Sequence, residues 1–383
     1  MSLLRLVVDP GGSLLKGFYT LDPFKPELIL IEPEVVTVPR ESLENYERTK
    51  MGESNPENSA WIEYQNKCQA VGFLARKRFN ADLQLQKRKF ELALPKVLAM
   101  VGAIADKHEL KNGTAIHLGI LLPWGEYQDR VLFQELVTTA LSQYKFKGCE
   151  KSFSLELFLC LPEGGGIFSR GMTPGSDLKE KSFAVVMLGY RDASILLIDR
   201  GEMSKGKTDP LGFSKMVESV KRQTSGLNLE ELTSAICKSG KNGSYKAIGE
   251  LALKVDPVYR QHETSRIRHA VATCKEEYWM MLSNWLKLQV PRDVDEVIIS
   301  GGTAHYFQSQ LNNLFSFSNV NWCEILETQL MNNFPQAASK SLNYRLTDVY
   351  GLFFFLCAKG IRQNSDVVGA DGEQREKVRS EVK

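Results

Sequence analysis

The chain has 383 residues, of which 43% are hydrophobic and 25% charged, and its formal net charge at neutral pH is +2. Its length exceeds what a single hydrophobic core sustains, so two domains or lobes are expected; the near-neutral charge excludes a chain-wide field that would hold bare nucleic acid by counterion release. The seven cysteines (Cys68, Cys149, Cys160, Cys237, Cys274, Cys323 and Cys357) are scattered and never in C-x-x-C, and the five histidines form no H-E-x-x-H, a pattern of reduced cytosolic thiols without a zinc site.

In chain order, short apolar strands alternate with helical patterns, which is an α/β signature. The first strand, "LRLVVD", runs through Pro10, Gly11, Gly12 and Ser13 into an alternating, aromatic-containing run, "LLKGFYTL". A Walker loop needs G-x-x-x-x-G-K-[ST] opening a helix, and a Rossmann G-x-G-x-x-G also opens a helix; here the spacing fails and a strand follows. What remains is a β-hairpin whose Gly11, Gly12 and Ser13 can aim backbone N–H groups at an anion without side-chain obstruction. Asp9 is placed to hold a hydrated Mg²⁺ and Lys16 to neutralise phosphate, while a plain Pro-Gly turn explains the same residues. Between Pro23 and Asn58 prolines and acids suggest a loop-rich insert. The basic runs Arg76, Lys77, Arg78 and Lys87, Arg88, Lys89 read as solvated faces, a contact with an acidic surface of a neighbouring subunit or adaptor being the other reading. "KRKFELALPKVLAMVGAIADKH" is a helical pattern, and "AIHLGILL" and "FSLELFLCL" are strands.

After Leu161, Pro162, Glu163 and three glycines can set one carboxylate beside a closely approached ligand, where it orients or activates a water; an exposed acidic turn is the other reading. "FAVVML" and "SILLID" then flank a second turn. Aligning "LVVDPGGSLLKGFYTLD" with "AVVMLGYRDASILLIDRG" puts Asp9 opposite Met187 and Gly11 opposite Gly189, an internal echo that suggests two related domains. The stretch from Tyr259 to Gln289 is expected to hold more than one helix, because no single apolar stripe runs its length. Trp279, Met280, Met281 and Trp285 are expected in a core, with a subunit contact as the other reading, and His262 and His269 on a polar surface. "VDEVIISGGTAHYFQSQL" places Gly301, Gly302 and Thr303 between a buried strand and a helix, either a favourable place for a nucleotide or a simple strand-to-helix turn. "GLFFFLCA" is far short of the roughly 20 residues that span a bilayer and reads as core. No signal-peptide pattern is visible, and the charged last stretch, "RQNSDVVGADGEQREKVRSEVK", reads as a disordered tail.

In this order the motifs resemble those of the actin-like ATPase superfamily. The hairpin from Asp9 to Lys16 resembles its first phosphate motif, "LCLPEGGGIF" its first connecting segment, "VVMLGYRDAS" its second phosphate motif, "VIISGGTAHYF" its adenosine motif and "YRLTDVYGLFFFL" its second connecting segment. "CQAVGFLARKRF" and "HLGILLPWGEYQDR" are similar to segments of the bacterial plasmid-segregation actins of the ParM and StbA type, and "VMLGYRDAS" and "RLTDVYGLFFFL" resemble a cyanobacterial branch that includes the cytoskeletal protein CorM. The resemblance implies an actin-like α/β fold: two related domains around a nucleotide cleft, each with an inserted subdomain. Domain I would take residues 1–165 and 345–360 with an insert at about 20–110, domain II residues 180–344 with an insert at about 205–290, and 361–383 would be the tail.

It also implies ATP or ADP with Mg²⁺, polymerisation into cytoplasmic filaments, a small DNA-binding adaptor as partner, and neither direct nucleic-acid binding nor a transmembrane segment. By residue, Glu163 and Asp9 would be catalytic; Gly11, Gly12, Ser13, Lys16, Gly189, Tyr190, Arg191, Gly301, Gly302 and Thr303 would bind nucleotide. Met187 stands where the superfamily carries an aspartate, and a thioether ligates hard Mg²⁺ poorly. Asp192 is the nearby acid, so Asp9 and Asp192 are the metal candidates, and slow hydrolysis is expected. The rival readings are a cell-shape or membrane-associated scaffold with slow or absent hydrolysis, and a small-molecule kinase of the same superfamily.

Overall fold

The computed structural model describes residues 3–21, 25–170, 180–240, 246–339 and 342–360. The chain divides into two compact units: Met1–Met172, Thr328–Ala338 and Leu346–Lys383 form the first, and Thr173–Glu327 with Ser339–Arg345 the second.

In the first unit, β1 (Leu3–Pro10), β2 (Leu15–Thr20) and β3 (Glu27–Ile31) form an antiparallel meander. The chain then builds β4 (Val35–Thr37), α1 (Arg40–Thr49), β5 (Trp61–Tyr64), β6 (Lys67–Val71), α2 (Phe73–Phe79) and α3 (Lys89–Lys107). Next come β7 (Thr114–Leu122), α4 (Trp124–Tyr127), α5 (Arg130–Ser142), β8 (Tyr144–Phe146), β9 (Cys149–Lys151), β10 (Phe153–Pro162) and α6 (Gly165–Arg170). The main sheet is five-stranded, in the order β10-β7-β1-β2-β3, with β7 parallel to both β1 and β10. β7 is buried at every position, as expected of a parallel strand covered on both faces. A second five-stranded sheet, β4-β6-β5-β8-β9, draws on strands before and after α3. The stretch read as a loop-rich insert is therefore shared out, because β3 belongs to the main sheet.

In the second unit, β11 (Ser182–Leu188), β12 (Ala193–Asp199) and β13 (Glu202–Asp209) again form an antiparallel meander. They are followed by α7 (Phe213–Gln223), α8 (Leu229–Gly240), α9 (Lys246–Gly249), α10 (Pro257–Gln289), β14 (Glu296–Ser300), α11 (Gly302–Tyr306), α12 (Gln308–Leu314) and β15 (Asn319–Asn321). Its five-stranded sheet runs β13-β12-β11-β14-β15, with β14 parallel to β11 and β15. Taken from its β15 edge, this is strand by strand the order of the first unit's main sheet. In register, Asp9 pairs with Lys16 across β1–β2 and Met187 with Ser194 across β11–β12.

The region expected to hold more than one helix is one helix, α10, started by Asp256, whose carboxylate accepts the N–H groups of Val258 and Tyr259, with Pro257 in the first turn. Capping and a first-turn proline favour an uninterrupted start. The apolar stripe, which includes Ala270, Val271, Cys274, Tyr278, Leu282 and Leu286, begins only at Ile267, after that exposed start. Met280 and Met281, expected in the core, are exposed, whereas Trp279 and Trp285 pack partly buried on the unit's core. His262 and His269 are exposed. A helix over residues 343–360 carries the "GLFFFLCA" run, and its Leu352, Phe353 and Leu356 are buried. The expected tail, 361–383, lies outside the described residues. Among the described residues no helix is long and apolar enough to cross a membrane.

Candidate functional site

The β1–β2 hairpin puts Asp9 and Lys16 opposite one another at its turn, and the two side chains form an ion pair. The turn itself is tight: a Cβ on Gly11 would come within 2.6 Å of the Leu14 carbonyl oxygen. Two further lysines reach this turn from α3. Lys89 Nζ donates to Asp9 Oδ1 at 2.6 Å and to Glu163 Oε1 at 2.8 Å, and Lys96 Nζ donates to the Gly11 carbonyl at 3.5 Å. Both lysines are buried, at 5% and 3% exposure. Seven residues apart, they share the face of α3 that also carries buried Ala93 and Met100. Lys89, expected on a solvated face, lies inside because two carboxylates compensate the loss of its hydration.

Glu126, from α4, fixes the start of α3. Its carboxylate accepts the backbone N–H of Lys89 at 3.0 Å and of Phe90 at 2.5 Å, satisfying donors that a helix start leaves unpaired. Burial pushes the Asp9 carboxyl upward, but the Lys16 and Lys89 ammonium groups outweigh it and hold Asp9 well below the usual carboxylate range. Burial likewise opposes charge on Lys89, and the carboxylates of Asp9 and Glu163 outweigh it in turn, holding its ammonium form above the ordinary lysine range.

Glu163 follows β10, and its N–H donates to the Leu122 carbonyl of β7 at 2.9 Å, which ties the segment to the sheet's carboxyl end. The glycines after it accommodate Asp348, from the helix over 343–360. The Asp348 carboxylate accepts three N–H groups, from Gly164 at 2.7 Å, Gly166 at 2.9 Å and Ile167 at 3.1 Å. Gly166 and Gly351 allow this approach, since a Cβ on either would lie 2.0 and 2.1 Å from backbone oxygens of the opposing segment. Burial, with repulsion from Asp9 and Glu163, raises the Asp348 carboxyl to about 7 against the N–H groups that favour its charged form.

In the second unit, the β11–β12 turn is closed by Gly189 N–H donating to the Asp192 carbonyl at 2.9 Å. Its carbonyls are engaged from below: Phe213 N–H donates to Gly189 and Ser214 N–H to Tyr190, and Thr303 Oγ1 donates to the Gly189 carbonyl at 2.7 Å. Gly301 has φ of +107° and would clash with the Leu188 carbonyl if it carried a Cβ. The structure thus gathers Gly189, Tyr190, Arg191, Asp192, Gly301, Gly302 and Thr303 in one unit, and Asp9, Gly11, Gly12, Ser13, Lys16 and Glu163 in the other. Arg191 Nε donates to Asp192 Oδ2 at 2.7 Å, and the Tyr190 hydroxyl lies 3.2 Å from that of Thr233. His305 stacks on Tyr344 with ring centroids 4.0 Å apart. Beside α11, a cavity of about 330 Å³ is lined by Ser239, Gly240, Lys275, Trp279, Tyr306 and Gln310 among others.

The donor set fits a directly ligated Mg²⁺ poorly. Both Asp9 oxygens face ammonium groups, Asp192 is paired with Arg191, and Met187 offers only a thioether. Among the described residues no three His, Cys, Asp or Glu side chains gather as a metal site requires. Lys89, Lys96, Glu126 and Asp348 are the participants that motif reading missed. The spacing Lys89, Ala93, Lys96, Met100 was the available signal for the two lysines; Glu126 and Asp348 lie within the segments "HLGILLPWGEYQDR" and "YRLTDVYGLFFFL", but no role was read for either residue.

The duplicated meander-plus-parallel sheets and the hairpin turns define the actin-like fold. It is shared nearly end to end with the actin-like protein Alp7A: 13% identity, TM-score 0.60, covering 96% of this chain and 100% of that one. The ParM of Bacillus thuringiensis solved with AMPPNP gives 14% identity and a TM-score of 0.56, over 94% and 100%; the Alp12 filament gives 15% and 0.54, over 94% and 99%. No protein-family model matches the sequence, and no curated protein matches it either.

Proposed function

We propose that this chain is a nucleotide-dependent, filament-forming actin-like protein that binds ATP or ADP and assembles with copies of itself in the cytoplasm. The observation that carries the reading is the cluster at the β1–β2 turn: three lysines, Lys16, Lys89 and Lys96, converge on a glycine turn beside Glu163. Ammonium groups gathered at one glycine turn suit a polyphosphate. The same reading is supported by two proteins that share the fold, the Bacillus thuringiensis ParM that was solved with AMPPNP and Alp12, which was solved as a filament. In it, Gly11, Gly12, Ser13 and Lys16 hold phosphate, Glu163 orients the attacking water, and Gly189 to Arg191 with Gly301 to Thr303 serve the rest of the nucleotide. Asp9 and Asp192, both already engaged by cationic side chains, are not assigned as direct ligands of a metal ion in this reading.

ATP or AMPPNP should move the protein into the pellet on high-speed centrifugation; monomers persisting across nucleotide, salt and protein concentration would defeat the filament assignment. A second reading, a scaffold with slow or absent hydrolysis, is favoured by Met187 and Ser194 standing where the first hairpin has Asp9 and Lys16. Phosphate release by wild type, Glu163→Ala and Met187→Asp separates the two: an ATPase loses release with the first change, whereas a scaffold shows little or none in the wild type and gains it, if at all, only with Met187→Asp. DNA segregation through a small DNA-binding adaptor and a cytoskeletal role of the CorM kind both use such filaments. Recovery of the filaments with a DNA-bound adaptor would select the former.

A further inference from the structure

We propose that Lys89 takes the electrostatic place of the divalent cation, so that this protein binds nucleoside triphosphate without a metal ion; the inference rests on the nucleotide reading above. The carboxylates that a divalent cation carried by the phosphates would use at the β1–β2 turn are Asp9 and Glu163. Lys89 already stands between them, 2.6 Å from Asp9 Oδ1 and 2.8 Å from Glu163 Oε1, while Lys16 pairs with Asp9 Oδ2. The ammonium is held in place: its side chain is 5% exposed, and its backbone N–H is anchored by Glu126 at 3.0 Å. Mg²⁺ brought against Asp9 would meet two positive charges before it met an unshared carboxylate, and hard cations bind through oxygens that are able to face them.

In the register of the second unit's hairpin, Met187 and Ser194 replace the acid and the base, and its own acid, Asp192, is paired with Arg191 at 2.7 Å. Phosphate, in contrast, is well served. Lys16, Lys89 and Lys96 all reach the hairpin, so an anion approaching the 11–14 turn meets ammonium groups. Lys89 also fixes Glu163 relative to Asp9, which makes it a positioning residue for the carboxylate assigned to the water.

Calorimetric titration of ATP into the full-length protein, in excess MgCl₂ and in excess EDTA, tests this directly. Dissociation constants within about threefold of each other are expected, and weakening beyond about tenfold in EDTA would overturn the inference while leaving the nucleotide reading intact. No ATP binding in either buffer would overturn both. In Lys89→Met, binding in EDTA should fall by about tenfold or more, with Mg²⁺ restoring part of it; undiminished binding in EDTA would show that Lys89 is not the cation. Should that variant fail to fold, the wild-type pair of titrations still decides, and Lys89→Arg should keep binding in EDTA.

Discussion

At the turn of the first hairpin, Asp9 faces Lys16 and Lys89; at the matching position of the second, a thioether faces a serine. Both hairpins have the same register and sit at the same place in sheets of the same strand order. One scaffold therefore supports two unlike chemistries. In the first, the turn is surrounded by buried charge whose compensation depends on residues far apart in sequence; in the second, the turn's carbonyls are taken up by Phe213, Ser214 and Thr303. The difference shows that the backbone of this motif is set by strand pairing and turn geometry, while its chemistry is set by what neighbouring helices bring to it.

The sharpest way to break that comparison is to truncate the side chain at each turn's equivalent position. Asp9→Ala should lower stability by about 3–5 kcal/mol, because it removes one of the two carboxylates that hold the buried Lys89 and the ion-pair partner of Lys16, whereas Met187→Ala should cost about 1 kcal/mol. Urea unfolding of the two variants checks this, and equal costs would mean that the charge contrast carries no energy. The pH sign follows from Asp9's lowered value: its contribution is present above about pH 4 and is lost as pH falls, so the gap between wild type and Asp9→Ala narrows in acid.

Asp348→Ala should cost about 3 kcal/mol through the three N–H groups it leaves without their acceptor. Its pH dependence is opposite. With its carboxyl raised to about 7, the folded state binds a proton that the unfolded chain has released. That contribution is full below about pH 4 and lost as pH rises to about 7, so the gap from wild type should be wider at about pH 5 than at about pH 8. Equal gaps would assign the whole effect to hydrogen bonding.

The turns differ in tolerance as well as charge. Gly11→Ala places a Cβ 2.6 Å from the Leu14 carbonyl and should cost about 1–3 kcal/mol. Gly189→Ala, with its nearest atom, the Asp192 carbonyl oxygen, at 3.4 Å, should stay within about 0.5 kcal/mol of wild type. Thermal melts of the two variants measure the contrast, and a destabilised Gly189→Ala would show that the second turn is as constrained as the first.

The sequence alone carried the alternation of strands and helices, the two hairpins with Asp9 and Met187 in equivalent places, and the glycine turn after β14. Those follow from local rules: apolar period, turn chemistry and the conformational freedom of glycine act within a few residues. It misled where the deciding partner lay far away. Lys89 looked like one more residue of a basic run, since the carboxylates that hold it are contributed by Asp9 and Glu163 on β1 and after β10. Asp348 lay unremarked within the stretch that resembles the second connecting segment, because the N–H groups it accepts belong to a segment nearly half the chain earlier. Burial of charge is a tertiary event: whether a lysine hydrates or pairs depends on which acids the fold delivers to it, and only the assembled sheet and α3 decided that for Lys89.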